Sequence, residues 1–342
     1  MGQHASFATL SSIGSGISVR PYSQPMKTIL RLLISAILIG VLLVMVDLGE
    51  VIRLFSRAKL SLLLMACLWA FIDRFIMIYR WALLLNTNGT RVSLLRIGQI
   101  HFMSSFLGNF IPISIAPDVL RAYSVSKHTG DFIHPFSSTM VDRLLGLLSL
   151  SMIAFGALFG ILILNPSFIS PSVYYSVIGG ILVLGISVLL LCNRVLIDKL
   201  LSVFRWPGRS KVFSKIMEVY TSCLDYKNHV DTALKVFGLC FINQIGALLM
   251  TYVIALALHV DVAIIYFFLF VPIVSFLSNL PASVNGLGVY EAGTVYLFSV
   301  AGVSMPEALA IALLGRIVNL IATLPGGVIY ALNGTAFRKL PA

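Results

Sequence analysis

Charged residues are scarce in this chain. Of its 342 residues only 11% are Asp, Glu, Lys or Arg, and just 13 are acidic. A typical soluble domain has about 25% charged residues. So low a charged fraction excludes an ordinary water-soluble globular domain.

Cysteine is rare as well, and no familiar catalytic pattern is present. The four cysteines lie far apart, without C-x-x-C spacing: Cys67, Cys192, Cys223 and Cys240. They indicate neither a metal site nor a disulfide framework. The histidines His101, His128 and His134 lack metal-ligand spacing, and no Ser-His-Asp or Cys-His arrangement is visible. We therefore expect no catalytic residues, no metal and no cofactor.

The net charge of +11 could indicate nucleic-acid binding, but the positions of the basic residues argue against it. They lie in loops beside apolar runs, and the sequence has no aromatic RNA-binding motif and no basic recognition helix. Membrane topology explains the charge better, because loops rich in Lys and Arg stay on the cytoplasmic side. We expect no nucleic-acid partner.

Apolar residues are abundant, at 58% of the chain, and the mean hydropathy is +0.98. A helix of about twenty apolar residues crosses the roughly 30 Å hydrocarbon core of a bilayer. The sequence therefore predicts an all-α polytopic membrane protein with about six full spans. The predicted spans are residues 28–46, 60–85, 144–164, 172–191, 233–258 and 307–332.

The chain is predicted to be one membrane domain, residues 28–335, with two short ends. Residues 1–27 are rich in Ser and Gly and are predicted to be a disordered tail. Basic residues flank the first and last spans, so this tail and residues 336–342 are both predicted to be cytoplasmic. Residues 48–59 are amphipathic and are predicted to lie on the far interface. In the second span we interpret Arg80 as an interfacial anchor with a snorkelling side chain.

Residues 275–292 interrupt a very apolar region with proline, asparagine, glycine and glutamate. Pro281 is predicted to break a helix, because proline lacks the N–H and clashes with the preceding turn. Gly286 and Gly288 allow a tight turn before a second helix begins. Broken backbone and a carboxylate at membrane depth require protein partners or a water-filled cavity, so we predict a functional site around Glu291.

A second copy of this pattern occurs at residues 105–115, which align with residues 275–284 with one insertion. Each copy precedes a long apolar helix with one internal arginine, Arg143 or Arg316. Paired broken segments point to a midplane binding site between inverted repeats. The predicted repeat halves are residues 97–165 and 262–332. The asparagines Asn109, Asn279, Asn285 and Asn319 are expected to cap broken backbone more readily than to contact ligand.

The positive-inside rule constrains the path of the first copy. A full crossing by residues 97–115 would place the basic loop, residues 193–230, outside the cell. A re-entrant hairpin that enters and leaves on the cytoplasmic side removes this conflict. For residues 263–301 the charges allow either two full spans or a hairpin entering from the opposite side, and the repeat favours the hairpin.

Several charges are predicted to meet near one depth. Arg316 follows Pro306 by about 15 Å of helix, and Arg143 follows Pro135 by about 12 Å. Charges in hydrocarbon must pair or meet water. The predicted partners are Glu291 with Arg316, and Asp118 and Asp142 with Arg121 and Arg143. Either these pairs are purely structural, or the arginines bind a phosphate or another anionic head group.

Five blocks of sequence carry a family resemblance. They are residues 79–85 (YRWALLL), 117–121 (PDVLR), 142–146 (DRLLG), 281–291 (PASVNGLGVYE) and 315–316 (GR). Together they resemble the flippase-like family typified by the transmembrane region of lysylphosphatidylglycerol synthases, over roughly residues 28–332. The resemblance implies lipid handling, often beside glycosyltransferases of envelope pathways. The soluble aminoacyl-transferase domain of the synthases is expected to be absent, because the chain ends soon after its last predicted span.

The predicted function is a lipid translocase of the cell membrane for an anionic phospholipid, glycolipid or polyprenyl-phosphate carrier. The alternative is an intramembrane lipid-modifying enzyme, or a membrane subunit that assists a glycosyltransferase. We expect a transporter rather than an enzyme, with membrane lipids as partners. The predicted substrate-binding residues are Asp118, Arg121, Arg143, Asn279, Asn285, Gly286, Gly288, Tyr290, Glu291 and Arg316.

Overall fold

A computed structural model describes residues 24–87, 92–111, 115–164, 178–179, 211–279 and 283–333. Throughout these ranges the ordered elements are helices and no β-strand occurs, which confirms the predicted all-α class. In chain order the α-helices with both ends described are α1 (Gln24–Met45), α2 (Leu48–Arg57), α3 (Leu60–Thr87), α4 (Leu94–Gly108), α5 (Ala116–Thr129), α6 (Ile133–Leu164), α7 (Lys211–Asp225), α8 (Val230–Ala257), α9 (Ile264–Asn279), α10 (Val289–Val300) and α11 (Met305–Asn333).

Four helices in the described residues are long and apolar enough to cross a bilayer. They are Leu60–Thr87, Ile133–Gly160, Val230–Ala257 and Met305–Leu332. Three coincide with predicted spans, whereas the second overlaps the predicted span 144–164 but begins at Ile133, before the predicted start. The predicted span at residues 172–191 falls almost wholly outside the described ranges. The number is five if α1 and α2 form one bent span, so a total of six stays a prediction.

The first predicted span ends in a sharp bend. Ser35–Met45 and Leu48–Arg57 meet at 82°. The side chain of Asp47 caps α2 by accepting hydrogen bonds from the backbone N–H groups of Gly49 and Glu50, at 2.8 and 3.2 Å. Such an N-cap fixes where a helix begins. The segment predicted to be amphipathic is therefore a separate helix, with Val51 buried and Ile52 exposed.

Both predicted helix breaks are present. The first lies between α4 and α5, and the second between α9 and α10. Residues 112–114 and 280–282 of these breaks, including Pro281 and Ser114, lie outside the described ranges. The apolar helix α9 has 16 residues, about 24 Å of helix, which is shorter than a bilayer core of roughly 30 Å. Each predicted repeat half thus contains a short helix, a break, a second short helix and a long helix.

Each pair of short helices folds back on itself. Arg96, near the start of α4, contacts His128, near the end of α5, with 2.8 Å between Nη2 and Nε2. Phe267, near the start of α9, packs against Phe298, near the end of α10, with ring centroids 4.9 Å apart. We call these two units the first hairpin (α4–α5) and the second hairpin (α9–α10).

The two hairpins follow opposite ends of the helix pair α3–α8 along the chain. The antiparallel helices α3 and α8 define these ends: Tyr226, before α8, donates to the carbonyl of Leu84 in the last turn of α3, at 3.0 Å. At the other end, the N–H of Lys59 donates to the carbonyl of Ala257, at 2.9 Å. The first hairpin begins shortly after the end of α3, and the second shortly after the end of α8.

The short helices of each predicted repeat half pack against the long helix of the other half. The hairpin helix α4 packs on α11, the long helix of the second half, while α9 packs on α6, the long helix of the first half. The main core lies around α8 to α11 and contains fully buried Leu248, Phe267, Phe298 and Ile311. Within the predicted basic loop, residues 211–225 form α7, which packs on the start of α6 through a hydrogen bond from Ser137 Oγ to the carbonyl of Val219 (3.2 Å).

Candidate functional site

The second break has a backbone that only particular residues allow. Asn285, Gly286 and Gly288 have φ values of 49°, 68° and 80°. A Cβ atom on Gly286 would lie 3.0 Å from the carbonyl oxygen of Ser278, and one on Gly288 would lie 2.7 Å from Cβ of Leu38. Glycine is therefore required at both positions by conformation and by space.

Glu291 ties this break to α11. Its carboxylate accepts a hydrogen bond from the backbone N–H of Gly288, at 2.7 Å, and so caps α10. The same carboxylate pairs with the Arg316 guanidinium through Nε and Nη2. Arg316 also donates to the carbonyl of Gly286, at 2.8 Å, and its Cζ lies 5.2 Å from the centre of the Tyr290 ring. The predicted Glu291–Arg316 pair is confirmed.

The second group of charges lies where α5 meets α6. Asp118 accepts from Arg121 at 3.1 Å and from Arg143 at 2.9 Å. Asp142 lies 3.5 Å from Arg121. The predicted cluster of two aspartates with two arginines is therefore confirmed as a set of contacts.

Arg80 corrects our interpretation of an interfacial anchor. It is 6% exposed, and its Nε lies 2.5 Å from Oδ1 of Asp142. The adjacent Trp81 is fully buried and donates to Oγ of Ser138 at 3.1 Å. A guanidinium inside a helix bundle needs a carboxylate partner, and this partner lies on α6, which sequence reasoning about α3 alone could not reveal.

Asn285 joins the two breaks directly. Its side-chain amide donates to three carbonyls of the first break, those of Gly108, Asn109 and Ile111, at 3.0, 3.4 and 3.1 Å. These carbonyls lie at or beyond the last residue of α4, where the helix supplies no further donor, and that of Gly108 also accepts from the N–H of Ile111, at 3.3 Å. The expectation that Asn285 caps broken backbone is confirmed, although the backbone belongs to the other repeat half.

Asn279 connects the second break to the charge cluster. Its amide donates to the carbonyl of Ser275 at 2.8 Å, and its oxygen accepts from Nη2 of Arg143 at 3.3 Å. The backbone N–H of Val284 donates to Oγ of Ser35 on α1, at 3.1 Å. Sequence reasoning missed Ser35, because nothing in α1 signals a contact 249 residues away.

Polar side chains along one face of α11 contact both breaks. Arg316 binds the second break, as described above. One turn later, Asn319 accepts from Nη2 of Arg74 on α3, at 3.0 Å, and Thr323 accepts from the amide of Asn109 in the first break, at 3.1 Å. Seven residues separate Arg316 from Thr323, about 10 Å of helix. The two breaks therefore meet along one face of α11, which we call the polar stripe (Arg316, Asn319, Thr323).

The arginines of the site differ in exposure. The side chains of Arg80 and Arg121 are 7% and 6% exposed, whereas those of Arg143 and Arg316 are 28% and 30% exposed. Their carboxylate partners are at most 15% exposed. Arg143 and Arg316 are thus accessible to a ligand while their counter-ions stay inside the protein. Across the described ranges no group of three His, Cys, Asp or Glu residues could hold a metal ion.

The fold and the site together define a polytopic α-helical membrane protein with paired broken helices and charged side chains inside the bundle. Over residues 28–327 the chain matches the family described as the lysylphosphatidylglycerol synthase TM region, and it belongs to that family. A search of curated proteins finds no match. The family connects the chain with lipid metabolism or lipid translocation.

Proposed function

We propose that this protein is a lipid translocase that binds an anionic head group between its two helix breaks. The observation that carries the proposal is the partial exposure of Arg143 and Arg316, each beside one break and each paired with a less exposed carboxylate. Arginine suits this role because its planar guanidinium can bind two phosphate oxygens at once. The lipid would be a phospholipid, a glycolipid or a polyprenyl-phosphate carrier.

Two carboxylates would keep the site stable when no lipid is bound. Asp118 and Glu291 compensate the two arginines when no head group is bound, so that no charge is left alone at depth. Part of each guanidinium remains available: Nη1 of Arg316 has no hydrogen bond to the described residues. A phosphate can therefore add to each ion pair without first breaking it, and can leave again.

The two hairpins would be re-entrant and related as an inverted repeat. Their positions after opposite ends of the helix pair α3–α8 and the packing of α4 on α11 and α9 on α6 support this arrangement. Inverted repeats of this kind place the substrate at their interface near the midplane. The head group would be handed from one half to the other beside the polar stripe, while the acyl chains stay in the bilayer.

The test is reconstitution of the full chain into liposomes with labelled lipids. Phosphatidylglycerol is the anionic probe, and phosphatidylcholine, which has no net charge, is the matched control. Faster movement of phosphatidylglycerol between leaflets than in empty liposomes is the expected result. Absence of movement, with the lipid chemically altered in mass spectra, would favour the intramembrane enzyme. If the lipid is neither moved nor chemically altered, the result would favour a membrane subunit that presents lipid to a glycosyltransferase.

A further inference from the structure

Arg74 differs from the other arginines inside the bundle. Arg80, Arg121, Arg143 and Arg316 each lie within 3.5 Å of a carboxylate oxygen. For Arg74 no carboxylate lies within salt-bridge distance in the described part of the chain. Its sequence neighbour Asp73 accepts instead from the amide of Asn243 on α8, at 2.5 Å.

Arg74 lies at the middle of a candidate span. It follows Leu60 by about 21 Å in a 28-residue helix that is about 42 Å long. Ionisable residues at this depth face the bundle interior or a cavity and mark substrate pathways. An unpaired guanidinium there is unfavourable unless an anion or water binds it.

The contacts of Arg74 direct it toward the head-group site. Its Nη2 donates to Oδ1 of Asn319, at 3.0 Å, and its Nη1 lies 3.6 Å from the sulfur of Met77. Its Nε is buried without a hydrogen-bond partner. Asn319 lies one helical turn from Arg316 on the polar stripe, and residues three apart share one helix face. Arg74, which lies on α3, therefore contacts the face of α11 that carries Arg316.

We infer that Arg74 is a further anion-binding residue, which binds the phosphate of the head group together with Arg316 at the polar stripe. This inference rests on the proposed function. A phosphate has enough acceptor oxygens for two guanidinium groups, and binding at Arg74 displaces no carboxylate. Arg74 would thus supply a guanidinium that no carboxylate of the described residues holds in a salt bridge.

The first test is the stability of the ligand-free protein. Replacement of Arg74 by Gln breaks no salt bridge within the described residues and leaves Asp73 hydrogen-bonded to Asn243, so the melting temperature in uncharged detergent should change little. Arg80→Gln is the matched comparison, because it breaks the salt bridge between Arg80 and Asp142 and should lower the melting temperature. If Arg74→Gln destabilises the protein as Arg80→Gln does, Arg74 is a structural residue balanced by Asp73, and the inference is wrong.

The second test is anion binding by the folded variants. The probes are dioctanoyl phosphatidylglycerol, dioctanoyl phosphatidylcholine and inorganic phosphate, each titrated against the purified full chain. Arg74→Gln should weaken phosphatidylglycerol binding roughly ten- to hundredfold, as expected for one lost charge-assisted contact. Arg74→Lys keeps the charge but loses the planar fork, and should weaken it by a smaller factor. The surface variant Arg53→Gln should bind like wild type.

The outcomes separate this inference from the proposed function. If wild type binds and moves phosphatidylglycerol and both Arg74 variants bind it equally well, the inference is overturned while the proposed function stands. If wild type binds no anionic lipid, both are overturned. If Arg74→Gln does not fold but Arg74→Lys does, the lysine variant alone decides. The inference is then overturned if Arg74→Lys binds phosphatidylglycerol as tightly as wild type. Inorganic phosphate binding that depends on Arg74 supports the site, and a preference for the lipid over the free ion identifies the head group as its ligand.

Discussion

At the scale of single residues, burial divides the arginines into two kinds. Arg80 and Arg121 are enclosed, and Arg121 also lies over the Trp81 ring, with Cζ 5.0 Å from the ring centre. Arg143 and Arg316 are partly exposed beside the breaks. The enclosed pair should therefore matter mainly for folding, and the exposed pair for binding. This division makes the two kinds of arginine separable by experiment.

Arg80 and Asp142 should behave as a buried ion pair. Asp142→Asn leaves Arg80 without its salt-bridge partner, and loss of one partner of a buried pair typically costs about 3–5 kcal/mol. Arg80→Gln should cost less, because Arg121 still lies 3.5 Å from Asp142. Denaturant unfolding of both single variants and the double variant measures their coupling. The double variant should lose clearly less than the sum of the single losses. Arg53→Gln, at an exposed position of α2, should change the free energy of unfolding by less than about 0.5 kcal/mol.

Glu291 and Arg316 should be coupled in the same way, with unequal single effects. Glu291 also caps α10, so Glu291→Gln weakens both the ion pair and the N-cap. Arg316 is partly exposed, so Arg316→Gln should cost less. The same unfolding experiment serves here, and strictly additive losses would mean that the two side chains do not interact in the membrane.

Sequence reasoning found most of these partners because charges are so rare in the chain. With few acids available, Glu291 had to meet Arg316, and Asp118 had to meet Arg121 or Arg143. It was wrong about Arg80, because an Arg-Trp pair toward the end of a span has the composition of an interfacial anchor. Asp142 lies 62 residues away, so only the packing of α3 on α6 reveals the pairing.

At the scale of elements, the two breaks form one unit. Asn285 holds three carbonyls of the first break while its own backbone has φ of 49°. Asparagine tolerates this conformation better than most residues, and glycine tolerates it best. Replacement of Asn285 can therefore affect stability in two ways, through loss of the amide contacts and through strain in the backbone.

Two substitutions of Asn285 separate these effects. Asn285→Gly keeps the backbone conformation but loses the amide, whereas Asn285→Ala loses the amide and adds backbone strain. Both should lower thermal stability, because the carbonyls of Gly108, Asn109 and Ile111 each lose a donor, and loss of a hydrogen-bond partner costs about 1–3 kcal/mol. Alanine should be the more damaging. A glycine variant as stable as wild type would show that the amide contacts contribute nothing.

The positions of the breaks were predictable, but their contacts were not. Proline, glycine and asparagine in apolar surroundings interrupt helices through local chemistry, and α9 and α10 end and begin around the predicted break. That Asn285 serves carbonyls of the other half depends on how the halves pack. Nothing local to residues 275–292 encodes that contact.

At the scale of the whole molecule, one end of the bundle should face the cytoplasm. The end of α5 connects to the start of α6, and α7 packs beside that start, so Thr129 and Lys215 lie at the same end. Residues 211–225 of the predicted basic loop lie at this end, and the positive-inside rule predicts that this end faces the cytoplasm. The number of spans was less predictable, because α1 and α2 share one apolar stretch that bends by 82°.

Single cysteines test this orientation. Thr129→Cys and Lys215→Cys, made in a variant without native cysteines, should both be protected from an impermeant thiol reagent added outside intact cells. The native cysteines must be removed even though burial raises the pKa of the Cys223 thiol to about 11 and lowers its reactivity. Labelling of both positions from outside would reverse the orientation. Labelling of Thr129→Cys alone would mean that the first hairpin crosses the membrane.

The central claim is that Arg143 and Arg316 bind the head group during lipid movement, and paired arginine-to-lysine variants test it most directly. Arg143→Lys and Arg316→Lys keep the positive charge beside Asp118 and Glu291 but lose the bidentate guanidinium. Reconstituted at equal folded yield, both should move phosphatidylglycerol much more slowly than wild type, while Arg53→Lys moves it normally. If Arg143→Lys and Arg316→Lys both move phosphatidylglycerol at the wild-type rate, the central claim is wrong. These arginines would then be structural partners of their carboxylates.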